Sequence, residues 1–114
     1  MKIYKVKIGI GRLTTNSIKV EEIECDEKGK TFLTSDNRRI NKDGIMKLDS
    51  NFNQGLAHHQ NWFTYCHYEQ IDNAKIMLYS HVKSNLEAIQ TNAINSLARL
   101  ESINPLTPTP KDSI

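Results

Sequence analysis

Between Ile71 and Leu100 the sequence reads IDNAKIMLYSHVKSNLEAIQTNAINSLARL, without a glycine or a proline. Apolar residues recur in this stretch at intervals of three or four: Ile71, Ala74, Leu78, Val82, Leu86, Ile89, Ala93, Leu97 and Leu100. This spacing is typical of an amphipathic α-helix. We therefore predict one long helix over about residues 70–103, whose apolar repeat of roughly 30 residues spans about 45 Å at about 1.5 Å per residue. Pro105 prevents its continuation.

The residues before the helix alternate with a period of two, which is typical of β-strands. The alternation predicts four strands, at Lys2–Ile10, Ser17–Asp26, Lys30–Thr34 and Arg38–Lys42. The aromatic run WFTYCHY predicts a fifth strand at Trp62–Tyr68, after a polar loop at Asp49–Asn61. The fold class is therefore α+β: an antiparallel sheet of about five strands followed by one long C-terminal amphipathic helix.

The second predicted strand contains a change of phase. Ile18 and Val20 share one face of a regular strand, whereas Ile23 and Cys25 share the other. One extra residue between the two pairs would turn all four side chains to the same face. We therefore predict a β-bulge at the adjacent glutamates, Glu21 and Glu22.

Length and composition indicate one small domain. The chain has 114 residues and a net charge of +2, so we predict a single domain over residues 1–104 and a flexible Pro/Thr-rich tail over 105–114. The nearly balanced charge makes no case for specific binding to duplex DNA. The chain shows no signal-peptide pattern and no apolar run of about 20 residues. We expect a cytoplasmic protein with two reduced cysteines and no membrane partner.

The predicted helix is longer than strands of about six residues can cover. Its distal half, Ile89–Ile103, still carries apolar residues, so another surface must cover them. A second copy of the chain is the economical solution, which predicts a homodimer or a higher homo-oligomer. A different partner protein, or a bend of the helix near Asn92, remains an alternative.

Metal-ion and catalytic sites are not expected. Candidate zinc ligands are His58, His59, Cys66, His67 and His81, but the spacing of two to four residues between paired ligands of a structural zinc site is absent. Cys66 and His67 are adjacent, and neighbouring side chains of a strand point to opposite faces, so the histidine is a poor base for the thiol. We therefore predict neither a catalytic residue nor a cofactor.

Arginine and aromatic residues offer a different chemistry. Guanidinium groups bind phosphate bidentately, and aromatic rings stack on bases. Arg38 and Arg39 on one strand, with Phe63, Tyr65 and Tyr68 on another, could form a small nucleotide site. Surface arginines paired with neighbouring glutamates, and aromatic rings in the core, would explain the same residues without a ligand.

The order of motifs along the chain resembles a known family. IKVEEIECDEKGKTFLT is followed by RRINK, then by the aromatic strand, then by a long helix containing DNAK. In this order the chain is similar to small phage-encoded anti-defence proteins, in particular the Thoeris anti-defence family, whose members sequester cyclic ADP-ribose isomers and, in some cases, cyclic oligonucleotides.

The resemblance implies a nucleotide sponge that does not cleave its ligand. It implies a cyclic nucleotide held between protomers, in the cytoplasm of a bacterial host, with arginines on the phosphates and an aromatic ring on the base. The arginine role would fall on Arg38 or Arg39, and the aromatic role on Phe63, Tyr65 or Tyr68. Asn73 could add a polar contact, and Arg99 could reach a neighbouring subunit.

Three other functions remain open at this stage. A protein-interaction module that inhibits a host enzyme or defence protein would use the helix or a sheet edge, without affinity for nucleotides. A weak nucleic-acid-binding protein would use Lys2, Lys5, Lys7, Arg38 and Arg39, and its affinity would fall steeply with salt. An enzyme would convert its ligand.

Overall fold

The computed structural model describes residues 1–11, 17–50, 59–103 and 105–106. Within them the elements are β1 (Lys2–Ile10), β2 (Ser17–Lys28), β3 (Thr31–Thr34), β4 (Arg39–Asn41), β5 (Asp49–Ser50), β6 (Gln60–Cys66) and α1 (Ile71–Glu101). Short 3-10 turns follow β4, at Lys42–Gly44, and precede α1, at Tyr68–Gln70. The α+β class, with an antiparallel sheet followed by one long helix, is confirmed.

The strands form one antiparallel sheet in the order β4-β3-β2-β1-β6-β5. β1 lies inside the sheet and pairs with β2 on one side and with β6 on the other. The sheet curls, so that the segment after β4 returns to β6. There Ile45 forms a parallel bridge with Tyr65, and the Met46 N–H donates to the Tyr65 carbonyl oxygen at 2.7 Å.

The two faces of the sheet carry separate hydrophobic cores. On one face α1 packs over β1 and β6, and the buried residues there are Val6, Ile8, Cys66, Ala74, Leu78 and Val82. On the other face the curl encloses Ile3, Ile23, Cys25, Phe32 and Ile40. The alternation of β1 explains this division, because Ile3 points to one face while Val6 and Ile8 point to the other.

α1 extends well beyond the sheet. Its buried residues are Ala74, Leu78 and Val82, all in the first half of the helix. Every residue from 90 to 103 is exposed. We call residues 90–103 the overhang. The sequence prediction of a helix longer than its sheet is therefore confirmed.

Three details of the predicted sheet are corrected. β1 and β2 pair in one continuous register from Lys2 with Glu24 to Gly9 with Ser17, so the β-bulge predicted at Glu21 and Glu22 was wrong. A sixth strand, β5, occupies the first two residues of the predicted polar loop. The aromatic strand is shifted, because β6 ends at Cys66 and Tyr68 belongs to the following 3-10 turn.

Parts of the predicted organisation lie outside the described residues. These are residues 51–58 of the predicted loop, with His58, and residues 104 and 107–114 in and beside the predicted tail. The described part of the chain contains no helix that is both long and apolar enough to cross a membrane.

The packing of α1 on the sheet gives a stability test. Leu78 of α1 is fully buried against residues of β1 and β6. We expect Leu78→Ala to lower the free energy of unfolding by about 2–5 kcal/mol, because truncation of a buried leucine leaves a cavity. Urea unfolding followed by circular dichroism measures this. The exposed Ser84→Ala is the control, and equal losses in the two variants would contradict this packing.

Candidate functional site

An open cleft of about 470 Å³ lies on the face of the sheet opposite α1. Its lining includes Arg39, Asp43, Lys47, Asp49, Phe63 and Tyr65. Phe63 and Tyr65 alternate along β6 with Trp62 and Cys66, which pack under α1, so the two aromatic rings point to the other face. The cleft volume falls in the range of about 300–1,000 Å³ that is usual for small-molecule sites.

The return of the chain from β4 to β6 builds the wall of the cleft. Met46 has a positive φ of 59° and donates its N–H to the Tyr65 carbonyl oxygen. Asp49 then pairs with Phe63 in the β5–β6 ladder. These two attachments hold Lys47 and Asp49 beside the aromatic rings of β6.

The aromatic rings stand next to a lysine of β1. Phe63 and Tyr65 contact each other edge to face, with ring centroids 5.7 Å apart. The Lys5 Nζ lies 4.4 Å from the centroid of Phe63 and 5.9 Å from that of Tyr65. Such cation–π contacts stabilise a partly desolvated ammonium. Burial, and secondly Lys7, lower the pKa of Lys5, while burial raises the pKa of the Tyr65 phenol.

The two adjacent arginines differ in their contacts. Arg38 ends the turn after β3, where its Nε donates to Asp36 Oδ2 at 2.9 Å. Arg39 starts β4 and lines the cleft, and its Nη1 donates to Thr31 Oγ1 at 3.2 Å. Arg39 is thus held by a single neutral hydroxyl and keeps guanidinium donors that can bind an anion.

The charges of the cleft have both signs. Arg39 and Lys47 supply two cations, and Asp43 and Asp49 supply two carboxylates. Cations of this kind can bind phosphate oxygens, whereas carboxylates accept hydrogen bonds from the amino groups of a base or the hydroxyls of a sugar. With the rings of β6, this set can recognise a ligand that contains phosphate, sugar and base.

The structure brings together Arg39, Phe63 and Tyr65 of the residues proposed from the sequence. Tyr68 is 73% exposed, with its ring 5.8 Å from that of Tyr4. Asn73 and Arg99 are exposed on α1, on the opposite face of the sheet from the cleft. Within one chain these three residues therefore do not join the cleft.

The nucleotide site proposed from the sequence omitted Lys5, Lys47, Asp43 and Asp49, and Lys5 was considered only for the alternative of weak nucleic-acid binding. Lys5 reaches the aromatic rings because β1 and β6 pair with Lys5 opposite Tyr65, and this register is not visible in the sequence. Asp43 and Lys47 lie in the connection between β4 and β5, and Asp49 begins β5. The signal that the sequence offered was a short stretch with charges of both signs: Lys42, Asp43, Lys47 and Asp49.

The other candidate centres do not assemble in the described residues. No group of three or more histidine, cysteine or acidic side chains is placed to hold a metal ion in that part of the chain. Cys66 is fully buried in the core under α1, and burial raises the pKa of its thiol. A raised pKa keeps the thiol protonated at neutral pH, which disfavours nucleophilic attack.

Comparisons with models of protein families, with curated proteins and with solved structures found no match. The chain is therefore defined by its own geometry, as an α+β protein with an open cleft of mixed charge on its curled sheet.

The turn that precedes Arg39 gives a test of pH dependence. The Thr34 hydroxyl, and next Arg38, hold the pKa of Asp36 below its ordinary value of 3.8. A depressed carboxyl pKa stabilises the fold above pH 3.8, and the contribution is lost as the pH falls through the folded-state pKa. We expect Asp36→Asn to lower the thermal midpoint at pH 7, and we expect this difference from the wild type to shrink as the pH falls below 3.8.

The exposed Asp26→Asn is the control for removal of one carboxylate. A difference between wild type and Asp36→Asn that is equally large at pH 7 and pH 2 would contradict the role of the Asp36 charge.

Proposed function

We propose that this protein binds and sequesters a cyclic nucleotide signal of bacterial immunity, without cleaving it, as a phage-type anti-defence protein in the cytoplasm of the host. The class of signal is a cyclic ADP-ribose isomer or a cyclic oligonucleotide. The resemblance of its motif order to Thoeris anti-defence proteins suggested this function, and the cleft supports it.

The observation that carries the proposal is the convergence of Arg39, Lys47, Phe63 and Tyr65 on one open cleft. These residues come from β4, from the connection to β5 and from β6, so only the curl of the sheet brings them together. Sequestration requires recognition groups and no reacting group, and the described lining supplies recognition groups.

Each group has a role in this proposal. Arg39 and Lys47 bind the phosphates, with Arg39 as the bidentate donor. Tyr65 and Phe63 offer aromatic surface to the base, where stacking contributes about 1–3 kcal/mol per base. The Lys5 ammonium lies over the ring of Phe63, and in this proposal it moves to a phosphate oxygen when a base takes its place on the ring.

Self-association through α1 is the second part of the proposal. The overhang is exposed along its whole length, although it carries Ile94, Leu97 and Leu100. Exposed apolar patches of this kind mark interaction surfaces. The same surface would serve the rival function, a module that docks on a host protein.

The matched arginines of the chain allow a sharp test of the cleft. We expect Arg39→Ala to weaken nucleotide binding at least tenfold, because it removes a charge-assisted phosphate contact. Arg38→Ala should weaken it much less, since Arg38 is paired with Asp36, and Arg99→Ala should leave it unchanged. Calorimetric titration with cyclic ADP-ribose isomers and with cyclic di- and trinucleotides measures the affinities.

Chromatography of the ligand released by denaturation completes this test. Recovery of the intact nucleotide is expected, whereas a converted product would indicate an enzyme. Failure of every probe to bind the wild type would overturn the proposed function and favour the protein-interaction module.

Leu97 tests the role of the overhang. It is 55% exposed in the single chain, so we expect Leu97→Asp to leave the helix content unchanged and to lower the mass measured by light scattering to that of a monomer. Asn95→Asp adds the same charge on the other side of the helix, about 160° away, and should keep the assembly. Equal masses for the wild type and Leu97→Asp would exclude the overhang as an interface.

A further inference from the structure

A strip of β2 is left uncovered beside α1. Val20 pairs with Val6, and Ile18 pairs with Ile8, so these β2 residues lie on the face that the helix covers. Val6 and Ile8 are buried under α1, whereas Ile18 and Val20 are 37% and 41% exposed. The helix packs on β1 and β6, and no described element covers this apolar part of β2.

The side of α1 that borders this strip carries the aromatic ring of Tyr79, with Lys75 and Lys83 one turn before and after it. His81 and Asn85 contact Trp62 and Gln60 of β6, so their side of the helix faces β6. At about 100° per residue, Tyr79 lies about 160° round the axis from His81, on the side toward β2. Tyr79 is 58% exposed.

Ile18, Val20 and Tyr79 lie at the same level along the sheet. Ile8 pairs with both Ile18 and Trp62, and the ring of Trp62 contacts that of His81 at a centroid distance of 4.4 Å. Val20 is two residues further along β2, about 7 Å toward the start of α1. The three residues therefore form one groove, with Ile18 and Val20 as its floor and Tyr79 as its wall. We call it the β2 groove.

The overhang has the composition of a covered helix. Only Arg99 and Glu101 are charged between residues 88 and 103, and depletion of charge is typical of the core of an interface. Its apolar residues Ala93 and Leu100 continue the helix face that packs on the sheet through Val82, and Leu97 lies beside them on the side of Tyr79. This face is thus suited to lie on a sheet.

The described part of the chain does not fill this groove. α1 is continuous to Glu101 and leads the overhang away from the sheet. In a pair of copies, the overhang of each chain can lie in the β2 groove of the other. A two-fold axis satisfies both contacts at once and closes the assembly at a dimer.

We propose that the β2 groove receives the overhang of a second copy, in a two-fold dimer whose α1 helices run antiparallel. Leu97 of each copy lies against Tyr79 of the other, above Ile18 and Val20. Leu97 and Tyr79 are about five turns apart and therefore lie on the same side of the helix. This dimer rests on the self-association proposed above and is independent of the nucleotide.

Cysteine cross-linking tests the antiparallel arrangement. We expect the double variant Tyr79→Cys/Leu97→Cys to form a reducible covalent dimer under mild oxidation, seen on a non-reducing gel. The two positions are about 27 Å apart within one chain, so the bond must join two chains. Each single variant should stay uncoupled, because two copies of the same position are equally far apart. Wild type, with Cys25 and Cys66 buried, measures the background.

The cross-linking outcomes separate the possible assemblies. Coupling by Leu97→Cys alone would show that the tips of two overhangs pair with each other, and would overturn the proposal. Absence of coupling in the double variant, with a dimeric mass retained, would also overturn it. A monomeric wild type in light scattering would refute self-association itself, while the calorimetric titration judges nucleotide binding independently.

A charge in the floor of the groove gives a second test. We expect Val20→Lys to raise the dimer dissociation constant at least tenfold with an unchanged thermal midpoint of the monomer, because Val20 is exposed in the single chain. Ser35→Lys adds the same charge at an exposed position in the turn after β3; it is the matched control and should not change dimerisation. An unchanged dissociation constant in Val20→Lys would remove the groove from the interface.

Discussion

The pairing of β1 on both of its edges is the constraint on which the rest of the structure depends. β1 joins β2 and β6 and sends its side chains alternately to two faces. Val6 and Ile8 face α1, and Ile3 faces the core inside the curl. A change of register by one residue would exchange the two faces and bury Lys5 and Lys7 under the helix.

The curl of the sheet follows from this arrangement and creates the cleft. The second core draws β3 and β4 over the face opposite α1, so that the chain after β4 reaches β6. The hydrogen bond from Met46 to Tyr65 then closes the cleft wall. Arg39 and Phe63 are 24 positions apart in the sequence. Arg39 lines the same cleft as Phe63 and Tyr65 only because of this closure.

Elements that depend on the local spacing of apolar residues are predicted correctly from the sequence. The prediction fails in β2, where one strand contributes side chains to two separate apolar surfaces. The helix, its excess length and the first strands follow from local spacing. The change of phase in β2 suggested a bulge, on the assumption of one core. In the structure Ile23 and Cys25 serve the inner core, whereas Ile18 and Val20 belong to the α1 face and remain exposed. The residue types alone suggested Arg39 and the aromatic residues as site residues. Only the register of β1 against β6, with Lys5 opposite Tyr65, shows that Lys5 lies beside them.

The cleft and the β2 groove lie on opposite faces of one sheet, so the proposed ligand binding and the proposed dimerisation would use separate surfaces. In the proposed dimer both clefts point away from the layer of helices, so each ligand is held by one chain, and Arg99 cannot reach the partner's cleft. A ligand between protomers, as the resemblance implies, would require a second interface on the cleft face. The two interfaces together would give an assembly larger than a dimer, because the two-fold contact through the helices leaves the cleft face free.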